Sequence, residues 1–107
     1  MPYILVITAT DSRKLAEKIA DSLVEKHLAA CVQINAIDST YRWKGKIVHA
    51  REWMCTAKSK SSLYPKIEGE IKRLSSYEVP EIIAVSISRG SRPYLKWLGS
   101  TLGAKQL

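Results

Sequence analysis

The sequence predicts an α+β fold with one four-stranded antiparallel sheet, and three observations predict it. Short apolar runs alternate with amphipathic helical stripes in the order β-α-β-β-α-β-α. Two long strand-like segments, residues 28–43 and 46–58, meet at Lys44-Gly45, which reads as a two-residue turn. The composition is that of an ordinary globular chain, 46% hydrophobic and 25% charged. With 107 residues, one domain (1–107) buries enough apolar surface to need neither a disulfide nor a metal staple.

Tyr3-Ile-Leu-Val-Ile-Thr-Ala is nearly continuous in apolar residues and reads as a buried strand. Thr10, Asp11 and Ser12 follow with side chains suited to cap a helix. Leu15, Ala16, Ile19, Ala20, Leu23 and Val24 then form one apolar stripe, with Lys14, Lys18, Asp21 and Glu25 on the other side. If Lys44-Gly45 is a two-residue turn, Trp43 pairs with Lys46 and paired positions sum to 89. Val32, Ile34 and Ala36 then share a face with Ala57, Cys55 and Trp53, and this apolar face carries the helices. The opposite face shows Cys31, Gln33 and Asn35 against Lys58, Thr56 and Met54. Near the turn the apolar side swaps, because Tyr41, Trp43, Val48 and Ala50 fall on the formerly polar face. A hairpin that projects past its own helices and buries its tip against a partner explains the swap.

Ser59, Ser61 and Ser62 are candidate caps for a second helix with the stripe Leu63, Ile67, Ile71, Leu74, and Pro65 suits its first turn. Tyr77-Glu-Val-Pro-Glu leads into the fourth strand, Ile82-Ile-Ala-Val-Ser-Ile. Pro93 opens a short final helix with Tyr94, Leu95, Trp97, Leu98 and Leu102 on its apolar side, and Gly103 ends it. The order matches a ferredoxin-like βαββαβ sandwich with a long central hairpin and a short C-terminal helix.

Composition narrows the function. The net charge of +7 raises anionic partners, but the basic residues are dispersed among acidic ones and read as a solvated surface. No apolar run approaches the ~20 residues of a membrane span, so no membrane association is expected. The N-terminus lacks a basic n-region and a cleavage site, and two cysteines make no secreted framework; the expected compartment is the cytoplasm. Cys-x-x-Cys and His-x-x-x-His spacings are absent. Cys31 and Lys58 are cross-strand neighbours, yet no histidine is placed to act as base, and no catalysis is expected. Glu52 and Lys58 share the helix-free face about 20 Å apart. Tyr77, Glu78 and Glu81 cluster before the last strand as a cation site or as plain loop polar groups.

Leu28-Ala-Ala-Cys-Val, Ser39-Thr-Tyr-Arg-Trp-Lys-Gly-Lys-Ile, Glu52 with Lys58-Ser59, Tyr77-Glu-Val-Pro-Glu-Ile-Ile-Ala and Tyr94-Leu-Lys-Trp stand in this order along the chain. Together they resemble the CutA (divalent-cation-tolerance) family. The resemblance implies a homotrimer of ferredoxin-like subunits with hairpins exchanged across it, and a role in tolerance of copper and other divalent cations. Mammalian relatives are tied to acetylcholinesterase anchoring. By position, the family's recurrent residues here are Cys31, Tyr41, Trp43, Gly45, Glu52, Lys58, Tyr77, Glu78, Pro80 and Glu81. Ser75-Ser76 replaces the family's usual His-Pro and so removes an imidazole, the natural copper ligand.

The expectations are therefore these. Tyr41, Trp43, Glu52, Lys58, Tyr77 and Glu78 are the ligand or interface candidates, and Cys31 and Glu81 the candidate metal ligands. No cofactor is required, with a divalent cation such as copper the one considered. The partners are further copies of the chain and a metal ion or small ligand at their interfaces, and nucleic acid is not expected. The alternative is a PII-like signalling trimer binding a small anionic ligand or nucleotide. That architecture carries a long loop where this chain has its tight turn. An RNA-recognition module of the same strand order needs aromatics that a chain without Phe does not supply. An acylphosphatase-like enzyme would need a phosphate-cradling loop after the first strand, which is missing.

Overall fold

Residues 2–103 are described by a computed structural model of the chain. Strand β1 (Tyr3–Thr10) alternates strictly at its start, sending Ile4, Val6 and Thr8 inward while Tyr3, Leu5 and Ile7 stay half-buried on the other face. Helix α1 (Arg13–Glu25) begins at Ser12, whose hydroxyl accepts the Leu15 N–H at 3.0 Å, so of three candidate caps Ser12 is the one used. Strands β2 (Cys31–Trp43) and β3 (Lys46–Lys60) form the long hairpin. A 3₁₀ turn, Ser61–Leu63, then leads into α2 (Tyr64–Leu74), β4 (Ile82–Ile87) and α3 (Arg92–Thr101).

The sheet order is β2-β3-β1-β4 and every neighbouring pair is antiparallel. Ile4 and Val6 of β1, Ala57 of β3, Ile19 and Leu23 of α1, and Ile67 and Ile71 of α2 form the main core, closed by Leu28 and Ala29. Between the two helices Glu70 of α2 is 8% exposed and gathers Ser22 of α1 and Lys26 at its C-terminal end together with Arg73. Lys26 Nζ stands at 3.0 Å and Arg73 Nη2 at 2.6 Å. The Arg73 guanidinium leads in holding the Glu70 carboxyl low, at about 2, with Ser22 and Lys26 helping against the opposing effect of burial.

The predicted register holds along the whole hairpin, from Cys31 opposite Lys58 to Trp43 opposite Lys46. Lys44 (φ 52°) and Gly45 (φ 79°) both take positive φ, as a two-residue turn matched to strand twist requires. Some boundaries differ from expectation. β2 starts at Cys31 and not at Leu28, because α1 ends in a Schellman motif with His27 in the left-handed region (φ 58°). The N–H groups of Leu28 and Ala29 both donate to the Leu23 carbonyl, so these residues close the helix before the strand can begin. None of Ser59, Ser61 and Ser62 caps α2; Ser59 is fully buried and donates to the Leu28 carbonyl at 2.7 Å. On α3 only Leu98 of the expected apolar side is fully buried within the helix, while Tyr94 and Trp97 remain exposed.

β1 ends opposite Trp53, and β4 pairs only with β1, so the hairpin beyond that point is a two-stranded ribbon. The rises of about 3.3 Å from the first to the last of the fifteen β3 residues add to roughly 46 Å, and the chain's longest extent is 44 Å. The radius of gyration, 14.4 Å, exceeds the roughly 13 Å of a compact chain of this length for that reason. On the face without α1 and α2, Leu5 pairs with Val85 and Ile7 with Ile83, and Val85 and Ile83 are about half exposed.

Candidate functional site

The segment between α2 and β4, residues 75–81, folds over the start of the ribbon. Ser75 breaks the helix in extended conformation, and its hydroxyl accepts the Tyr77 N–H at 3.1 Å. Ser76 donates to Asp11 Oδ1 at 3.1 Å. One local bond and one to the residue that follows β1 turn Tyr77 back toward β3, where its hydroxyl donates to Glu52 Oε2 at 2.5 Å. Glu52 is 6% exposed, although it lies on the face away from α1 and α2. Burial, reinforced by the hydrogen bond and charge of Glu52, pushes the Tyr77 phenol well above its ordinary value and keeps it protonated.

Between this segment and the ribbon lies a cleft of about 720 Å³. Ala9 and Glu52 line it from the sheet, Ser39, Thr40, Tyr41 and Trp43 from β2, and Ser76, Tyr77, Glu78, Val79, Pro80 and Glu81 from the segment. Its ionisable walls carry three carboxylates and no lysine or arginine, on a chain of net charge +7. At its rim Lys44 Nζ stands 3.8 Å from Glu78 Oε1 and 5.6 Å from the Trp43 ring centre.

Six of the eight residues singled out from sequence meet here: Tyr41, Trp43, Glu52, Tyr77, Glu78 and Glu81. Cys31 and Lys58 do not. They face each other at the far end of the hairpin, and Lys58 Nζ lies 5.5 Å from the Tyr94 ring centre. Cys31 sits on the β2 edge of the sheet and Glu81 just before β4 on the opposite edge, so one chain cannot close them on a single ion. Among the described residues no three of His, Cys, Asp or Glu stand together as metal ligands, and the donor set of one chain does not fit a resident ion. His27 and His49 are engaged elsewhere, near the Thr101 carbonyl and the Thr40 hydroxyl at 3.2 Å each. Among the other lining residues, alternation from Tyr41 points to Ser39, whereas Ala9 and Val79 carry no sequence signal of a site.

Comparison with known proteins places this arrangement. The family described as "CutA1 divalent ion tolerance protein" matches residues 4–101. The "Divalent-cation tolerance protein CutA" of Thermus thermophilus is 40% identical over 100 residues, covering 92% of this chain and 97% of that protein. Human "Protein CutA" is 43% identical over 88 residues, 81% of this chain, which spans 49% of the human protein's length. Among solved structures, CutA1 from Oryza sativa superposes with a TM-score of 0.93 at 32% identity, covering 98% of this chain and 97% of that one. The Thermus thermophilus Cut A1 structure gives 0.91 at 39%, covering 94% and 99%. With the family match spanning nearly all of the described fold, the chain belongs to the CutA1 divalent ion tolerance family.

Proposed function

We propose that the protein acts in divalent-cation tolerance as a homotrimer, taking a metal ion or small ligand where subunits meet, and catalyses no reaction. The divalent-cation role is carried over from the names of the Thermus thermophilus and Archaeoglobus fulgidus relatives. The observation that carries the assembly is the ribbon. A two-stranded hairpin is marginal in water unless it packs on something. This one ends in Tyr41, Trp43 and Ile47, which are 39%, 39% and 61% exposed. The half-exposed pairs Leu5–Val85 and Ile7–Ile83 offer a second apolar surface of the kind a neighbouring copy would cover. An ion held in the assembly would draw donors from two chains, which suits the separation of Cys31 from Glu81. Two unpaired cysteines suit a reducing compartment, and the reading keeps the protein in the cytoplasm.

A nucleotide- or anion-binding PII-like role gains nothing from a cleft lined by three carboxylates. Sedimentation equilibrium at micromolar concentration is expected to give a trimer, and a monomer would overturn the reading. Native mass spectrometry with Cu²⁺, Zn²⁺ or ATP then tests the ligand on the same sample. Retention of ATP with indifference to both metals would favour the PII-like role.

A further inference from the structure

The cleft between the ribbon and residues 75–81 has a chemistry more specific than "metal ion or small ligand". Its volume of about 720 Å³ is the size of a pocket for an organic molecule and far exceeds that of a bare ion. Its walls combine aromatic faces, Tyr41 and Trp43, with the carboxylates of Glu52, Glu78 and Glu81. Carboxylates placed beside electron-rich ring faces attract organic cations, since the ring supplies a contact that a small, strongly hydrated metal ion uses poorly. Glu52 adds a second feature. It is 6% exposed, its Oε2 accepts from Tyr77, and its Oε1 takes no hydrogen bond from any described residue. Among the described residues no buried side-chain oxygen lacks a hydrogen-bond partner, so Oε1 is open to the cleft and free to accept a donor there. The chain itself supplies a third: the Lys44 ammonium stands between Glu78 and the Trp43 ring at the rim, as an alkylammonium guest would.

Resting on the small-ligand role of the proposed function, we infer that this cleft binds an alkylammonium or guanidinium group, whose N–H donors reach Glu52 and whose stem lies against Tyr41 and Trp43. The group belongs either to a free small amine or to a lysine or arginine of a neighbouring copy. Two N–H···O⁻ bonds and a cation–π contact fit such a group, whereas an anion would meet three like charges.

The test is calorimetric titration of the assembled protein with putrescine and with methylguanidinium, repeated for Glu52→Gln, Trp43→Leu and the control Glu68→Gln on α2. Saturable binding of either cation is expected, weakened about tenfold or more by the first two substitutions and unchanged by the control. Glu52→Gln keeps an acceptor for Tyr77, and a thermal melt of each variant separates lost binding from lost folding. If the guest is a neighbour's side chain, Glu52→Gln and Trp43→Leu loosen the oligomer in sedimentation while Glu68→Gln does not, and added methylguanidinium competes. No binding up to about 10 mM with the oligomer equally tight in all variants overturns the inference. Cu²⁺ or Zn²⁺ binding that depends on Glu52 without any response to the organic cations also overturns it, while leaving the proposed function standing.

Discussion

The hydroxyl of Tyr77 and the carboxylate of Glu52, 25 positions apart in sequence, are joined by a 2.5 Å hydrogen bond that closes the cleft onto the sheet. Removing it leaves a buried carboxylate with one fewer donor. Tyr77→Phe is expected to lower stability by about 1–3 kcal/mol, the range for stranding a buried polar partner. Chemical denaturation of the variant beside the parent measures it, and an unchanged midpoint would refute the bond's structural role. The pH sign follows from the raised phenol. Protonated Tyr77 is favoured in the fold, so its contribution is complete below the ordinary phenol value of 10.0 and is lost as pH climbs beyond it.

Glu70 sets the acid side. Its carboxyl is depressed from 4.5 to about 2, so its stabilisation is present above the ordinary carboxylate range and fades as pH falls from about 4.5 toward 2. At full strength such a shift corresponds to about 3 kcal/mol. Lys26 and Arg73 are each more than half exposed and therefore screened, which leaves an expected 1–2 kcal/mol. Glu70→Gln should flatten the acid limb of a plot of melting temperature against pH while leaving the alkaline limb alone. A parallel shift at all pH values would show that packing and not charge is responsible.

A methyl group at Gly99 would stand 2.7 Å from the Tyr3 hydroxyl, closer than real side-chain contacts allow. Gly99→Ala is thus expected to destabilise by about 1–3 kcal/mol through overpacking. Tyr3→Phe removes the offending oxygen, so the double variant should recover part of the loss, a non-additive result readable in a double-mutant cycle. Strict additivity would place the cost elsewhere in α3.

The thiols differ in access. Cys55 is 1% exposed, donates to the Ala16 carbonyl at 3.6 Å, and burial pushes its thiol up to about 11. Cys31 is half-buried on the opposite sheet face, so the two side chains point apart and form no bridge. Ellman-type titration without reductant should find two thiols after denaturation, with Cys55 silent in the native protein. A reactive Cys55 under native conditions would contradict its burial.

Much of this arrangement is written locally, and those parts were legible. A Lys-Gly pair between two strand-like runs fixes the turn, the turn fixes the register, and the register sorts Cys31 from Cys55 and Tyr41 from Ile34. Candidate residues on the ribbon and on Tyr77-Glu-Val-Pro-Glu could be named in isolation. Their meeting could not, since it depends on Ser75 and Ser76 turning a short segment back across the sheet. Glu70 gave no signal either. A glutamate within a helical stripe looks like solvent-facing charge until Ser22 and Lys26 arrive from a helix more than forty positions away. The late start of β2 was hidden because His27 takes a backbone conformation usually left to glycine.

Strand β2 occupies one outer edge of the sheet for thirteen residues, which bears on solubility as much as on assembly. An edge that long offers a row of free peptide groups to any extended chain that drifts past. The ribbon guards it with charge: Asp38 is paired to Arg51 at 2.9 Å, and Arg42, Lys44 and Lys46 crowd the tip. A chance strand would have to strip water from those groups to zip on, whereas a matched surface need not. The charges of the ribbon therefore discourage the fibrillar stacking that a bare apolar edge would seed.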